Sequence, residues 1–162
     1  TYVNIDFSYQ SLTEQLIGAG FDQEKSTIFT LEGVSQYITK EAVRSTVREL
    51  ASLTKETYSI FFMSYVDELL DRKPEACFGK GYPNPKKKAS LIKGLSAKVG
   101  EPWISFYNDG EIGGLLSQNG YSIEKNVTLD DLNTLYFSPV GRTLNENQIF
   151  KLEHFVVAES KR

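Results

Sequence analysis

Apolar residues in this chain recur in two rhythms. Thr27 to Leu31 and Tyr58 to Met63 are short runs rich in β-branched and aromatic residues, the composition and length of strands. Between them Val43, Val47 and Leu50 fall at helical spacing. That spacing predicts a helix from about Lys40 to Leu53, with Arg44 and Arg48 on its solvent face. Upstream, Tyr2 to Phe7 alternates like a short strand ending at an acid. Ser11-Leu12-Thr13-Glu14 is a capping box, opening a helix that carries Leu12 and Leu16 and stops at Gly20.

The second half is less regular. Val66 to Leu70 begins a further helical pattern, and Gly79 to Pro85 is a glycine- and proline-punctuated loop. Ala89 to Val99 is helical, with Leu91 and Leu95 one turn apart, and Gly100-Glu101-Pro102 stops it. Trp103 to Phe106 is a short extended piece. Asn108 or Asp109 caps a helix through Leu115 and Leu116 that closes at Asn119-Gly120. Tyr121 to Val127 and Phe155 to Ala158 are the last two strands. No crossover helix separates them, so an antiparallel closing pair is expected. The order strand, helix, strand, helix, strand predicts an α/β domain with right-handed parallel crossovers.

The most pointed segment is Thr27 to Thr39. A strand ends on a carboxylate, Glu32, then Gly33; a polar turn follows, and Thr39 opens a helix. Ligands of α/β sheets bind in the crevice past the carboxyl ends of parallel strands, where such an acid and glycine stand.

Bulk properties narrow the function classes. The 162 residues suit one domain. A net charge of −3 argues against a nucleic-acid binder, which would show a basic face. Lys86-Lys87-Lys88 is read as a solvated helix start. Cys77 and His154 are the sole cysteine and histidine, so neither a disulfide within the chain nor a multi-histidine zinc site is available, and no metal is expected. The lone cysteine fits a reducing, cytoplasmic setting. His154 falls in the last strand pattern with no Gly-x-Ser-x-Gly elbow anywhere, and is read as structural. No apolar run has the length of a membrane span.

Taken together, the stretches IDF, AGFD, TIFTLEGVSQYIT with EAV, GEPW, NGY and FVVAE carry a resemblance. From about Val3 to Glu159 the chain resembles the C-terminal part of the leucine carboxyl methyltransferase-like family of S-adenosylmethionine-dependent O-methyltransferases. The resemblance implies the class I methyltransferase (Rossmann-like) fold, with sheet order 3-2-1-4-5-7-6 and an antiparallel seventh strand. The Val3, Ile28, Ile60, Tyr121 and Phe155 strands would be its third, fourth, fifth, sixth and seventh. It also implies S-adenosylmethionine as cofactor, with Asp6 and Phe7 at the adenine and Glu32, with Gly33, at the methionine ammonium. Tyr37 and Tyr65 would lie on the acceptor side, and no catalytic residue is named. Each residue has a plainer reading: Asp6 as a turn cap, Glu32 as a solvated loop acid, and Tyr37 as packing.

Two departures stand out. Ser8 and Tyr9 follow Asp6-Phe7 where the family has an Arg-Asp-like pair, and no glycine-rich strand-to-helix loop precedes Val3. The family's first two strands would therefore be lacking, and the inner edge of the Ile28 strand would be open. The expectation is one portion of a methyltransferase domain over residues 1–162, with a helical and loop insert at about 67–101. Alone it would be inactive for want of the glycine-rich loop, and it would be completed by a missing N-terminal half or by dimerisation through the open edge. The expected acceptor is a carboxylate or hydroxyl on a small molecule or a protein. The alternative is a non-catalytic interaction module, or degenerate fragment, that pairs through the same edge.

Overall fold

A computed structural model describes residues 1–6 and 9–160. Its strands are β1 (Thr27–Leu31), β2 (Ser59–Val66), β3 (Tyr121–Thr128) and β4 (Glu153–Ser160). They form one mixed sheet in the order β1-β2-β4-β3. β1 and β2 are parallel, with Thr27 beside Ser59 and Leu31 beside Met63. β4 runs antiparallel to both of its neighbours. The antiparallel closing pair expected from sequence is present, and the 24 residues between its strands hold only short helical turns.

The helices arise as the periodicity requires. In α1 (Leu12–Gly18) the Ser11 hydroxyl accepts from the Glu14 N–H at 3.3 Å. α2 (Lys40–Leu53) is capped by Thr39 and buries Val43, Val47, Leu50 and Leu53. After the single turn α3 (Leu69–Arg72) comes α4 (Pro85–Lys98), which opens on Pro85, where a missing N–H costs nothing. α5 (Asp109–Gln118) begins with a complete capping box between Asn108 and Glu111.

The alternation of β2 decides where the core sits. Phe61, Met63 and Tyr65 point to one face and pack with Val43, Val47, Ile112, Leu116, Val156 and Ala158. A second cluster of Val66, Leu70, Cys77, Phe78, Ala89 and Leu152 lies beyond the end of β2. On the opposite sheet face Phe62 and Phe155 stack at 6.4 Å and stay half-buried.

One expectation needs correction. Residues 1–6 form no strand, although Tyr2 to Phe7 alternates. Alternation makes a strand only where a neighbour supplies the ladder, and none of the described strands pairs with this segment. The helix expected over Ala89 to Val99 is present as α4; in it Leu91 and Leu95 are about half exposed, at 51% and 53%, while Ala89 is buried. β1 is an edge strand among the described residues, and Ile28 on it is 69% exposed.

Candidate functional site

At the carboxyl end of β1 the chain must turn sharply toward α2. Gly33 takes φ +67°, a left-handed conformation in which a side chain would be strained. Its N–H donates to the Ser64 hydroxyl at 2.9 Å, and the Ser35 hydroxyl donates to the Ser64 carbonyl at 2.8 Å. These bonds fasten the turn to β2. Across the turn, the Ile104 N–H donates to the Gln36 carbonyl at 2.8 Å, and the Ser105 hydroxyl to the Ile38 carbonyl at 2.7 Å. The Gly100 to Ser105 segment thus becomes the facing wall of a crevice.

Two cavities flank Tyr37. One, of about 380 Å³, is lined by Gly33, Val34, Tyr37, Glu101, Pro102 and Ile104, among others. The other, of about 610 Å³, includes Tyr9, Gln10, Tyr37, Thr39, Glu41 and Ile104 in its walls. Tyr37 sits between them, edge-on to Trp103 with ring centres 6.5 Å apart. Each lining holds a carboxylate, Glu101 or Glu41, and among the described residues neither holds a lysine or arginine. Such walls suit a ligand carrying positive charge and an apolar body.

The residues singled out from sequence are thus partly gathered. Gly33 and Tyr37 share a cavity, while Glu32, exposed and next to Gly33 in the chain, is in the described lining of neither cavity. Asp6 is exposed, and its N–H donates at 2.7 Å to the side chain of Gln10, a wall residue of the larger cavity. Phe7 lies outside the described residues. Tyr65 is fully buried inside β2, not past its end, and lines neither cavity. Its hydroxyl donates to Asp109 Oδ1 at 2.7 Å and accepts from Asn126 Nδ2 at 2.9 Å. Burial, then the Asp109 hydrogen bond, push its phenol well above the usual range.

Sequence reasoning missed the cluster around this tyrosine. His154 pairs with Tyr65 across β2 and β4, and the two rings stack at 4.8 Å. Nε2 of His154 lies 3.1 Å from Asp67 Oδ2, and Nδ1 lies 3.4 Å from Asp109 Oδ1. The available signal was register: His154 is two residues from Val156 and four from Ala158, so it points to the core face. Among the described residues no group of three or more His, Cys, Asp or Glu side chains is arranged to hold a metal ion. No helix among them is long and apolar enough to cross a membrane.

The mixed sheet with its flanking helices is an α/β methyltransferase-like fold. The crystal structure of a DUF574 family protein from Streptomyces avermitilis is similar, with a TM-score of 0.60 at 13% identity, over 99% of this chain and 55% of that one. Mycolic acid cyclopropane synthase CmaA1, solved with SAH and CTAB, gives a TM-score of 0.51 at 9% identity, over 84% of this chain and 55% of that one. In sequence, residues 1–51 match the leucine carboxyl methyltransferase family, so the resemblance noted above holds there. A protein of Bacillus subtilis (strain 168), described as the S-adenosyl-L-methionine-dependent methyltransferase YktD, is 32% identical over 160 residues. That alignment takes in 99% of this chain and 48% of the relative, so the chain spans about half the relative's length.

Proposed function

We propose that these 162 residues supply the carboxyl-end crevice of an S-adenosylmethionine-dependent methyltransferase. The observation that carries the reading is the 32% identity over 160 residues to a protein described as such an enzyme. Three features support it. The sheet order β1-β2-β4-β3, with β4 antiparallel, follows a 4-5-7-6 run of the class I methyltransferase sheet. The segment from Asp67 to Glu101 holds α3 and α4 and no strand of that sheet, as an insert between sheet elements would. Among the described residues the crevice walls carry carboxylates and aromatic rings without a basic residue.

In this reading Glu32, exposed beside Gly33, accepts from the ammonium of the methionine end, with Gly33 giving the backbone room to approach. Asp6 and Phe7 take the adenine. Tyr37, between the two cavities, belongs to the acceptor side, and Tyr65 acts from beneath through Asp109. The bound cofactor supplies an electrophilic methyl on a sulfonium. The chain's own work is to orient the partners and exclude water from the crevice. A carboxylate acceptor is already a nucleophile at neutral pH, which suits walls without an acid–base pair; a hydroxyl acceptor would need a base. Methyl transfer is assigned to a protein of the relative's length, about twice the stretch matched here.

Photo-crosslinking with radiolabelled S-adenosylmethionine tests this. Label recovered in peptides spanning 32–37 is the expected result, and label confined to peptides away from the crevice would sink the reading.

The open edge of β1 supports a second reading, a module that pairs through that strand. Sedimentation separates the two. Concentration-dependent self-association abolished by Ile28→Lys, with no S-adenosylmethionine label, would favour the module.

A further inference from the structure

We propose that α4 is an interfacial helix, whose exposed face seats the chain on an anionic lipid surface. Leu91, Leu95 and Val99 recur every fourth residue, so they stack along one side of the helix. They are 51%, 53% and 77% exposed. Ala89 is buried, and Ile92 packs on the second core cluster. The domain therefore grips α4 by one side. Among the described residues, a ridge of three aliphatic side chains stays uncovered on the other.

Charge decides what this ridge fits. Between residues 72 and 99 the sequence holds eight Lys or Arg and one acid, Glu75, although the whole chain carries a net charge of −3. Five of those lysines lie on α4, which has no acid. Lys93 is partly buried and paired with Asp71 at 2.6 Å. Lys86, Lys87, Lys88 and Lys98 are exposed, and none forms an ion pair with a described residue. Lys87 and Lys88 stand one turn before Leu91, and Lys98 one turn after Leu95, so cations flank the ridge at both ends. Their aliphatic stems extend the apolar surface while the ammonium groups reach outward.

Local helix physics works against this placement. Lys86, Lys87 and Lys88 occupy the first turn, where the helix dipole is positive and a cation is unfavourable. No acid in that turn offsets them, and the N-cap Asn84 makes no side-chain capping bond. An anionic surface beside the ridge provides the counter-charge. Cations clustered on an amphipathic helix attract anionic headgroups, and apolar side chains lying in the interface plane add to the attachment. A nucleic acid would leave the aliphatic ridge unused. A groove that wraps a whole helix is excluded by the packing of Ala89 and Ile92 on the domain. Val99 is followed directly by Gly100, a wall residue of the smaller Tyr37 cavity, so a seated ridge brings that crevice to the lipid surface. The inference rests on α4 alone and does not draw on the methyl-transfer reading.

Co-sedimentation of the chain with sucrose-loaded vesicles tests it. Phosphatidylcholine vesicles containing about one third phosphatidylglycerol should bind at least about tenfold more tightly than phosphatidylcholine alone. The binding should weaken as salt rises. A Leu91→Ser, Leu95→Ser variant and a Lys86→Gln, Lys87→Gln, Lys88→Gln variant should each bind anionic vesicles about tenfold or more weakly. All five side chains are exposed, so far-UV circular dichroism should be unchanged. Should the leucine variant fail to fold, Val99→Ser at the helix end takes its place, with a smaller loss. The proposal is overturned if the folded parent ignores anionic vesicles or binds neutral ones equally, or if either folded variant binds like the parent. Capture of polyglutamate without vesicle binding would give the ridge to an acidic protein and overturn it too.

Discussion

Gly33 donates its backbone N–H to the Ser64 hydroxyl across 2.9 Å, which joins the turn after β1 to the neighbouring strand. The same serine's carbonyl accepts from Ser35, so one β2 residue holds the turn twice. Gly33→Ala should cost about 1 kcal/mol, because φ +67° is strained for alanine although no atom lies in the way of the new methyl. Ser64→Ala leaves the Gly33 N–H without its partner and should cost about 1–2 kcal/mol. Urea midpoints read both, and S-adenosylhomocysteine affinity should fall with each.

Tyr65→Phe removes a hydroxyl that donates to Asp109 and accepts from Asn126 inside the core. The expected loss is about 1 kcal/mol, since Asp109 is exposed to solvent and Asn126 keeps its bond to Asp109. The urea midpoint should drop with an unchanged slope. A variant as stable as the parent would mean that the network contributes no net stability.

Glu49 ties α1 to α2. Its carboxylate accepts from the Ser11 hydroxyl at 2.8 Å, the Thr13 N–H at 2.9 Å and the Ser45 hydroxyl at 3.3 Å. Burial works against its charge, but these hydrogen bonds outweigh it and hold the carboxyl below the usual range. A lowered folded-state value gives stability that is present above the unfolded value and lost as pH falls through the folded one. Glu49→Gln should therefore melt below the parent at neutral pH, by less than about 1 kcal/mol given its exposure, with the gap closing as acid protonates the carboxylate. A gap that widens on acidification would contradict the assignment.

Cys77 is buried in the second core cluster, and burial, then the nearby Asp67 and Glu75 charges, push its thiol up to about 12. Thiolate is the reactive form, so native protein should react with Ellman's reagent far more slowly than urea-unfolded protein. Equal rates would show that the cluster opens readily.

The strands and α2 were legible because their periods are unmixed: Val43, Val47 and Leu50 state one face, and Tyr58 to Met63 one strand. The Tyr2 to Phe7 segment misled because alternation says nothing about whether a neighbouring strand exists. Of the candidate residues, Glu32 and Gly33 announced themselves through the strand, acid and glycine layout, and Tyr37 through the family resemblance. The Asp67–His154–Asp109 arrangement did not, because it joins residues up to 87 apart in sequence through strand register.

The central claim, that the crevice past β1 holds the cofactor through Glu32, is tested most directly by calorimetric titration with S-adenosylhomocysteine. The unaltered protein should bind, and Glu32→Ala should bind about tenfold or more weakly, the loss of one charge-assisted contact. Equal affinity in the two proteins, or no binding by either, would contradict it.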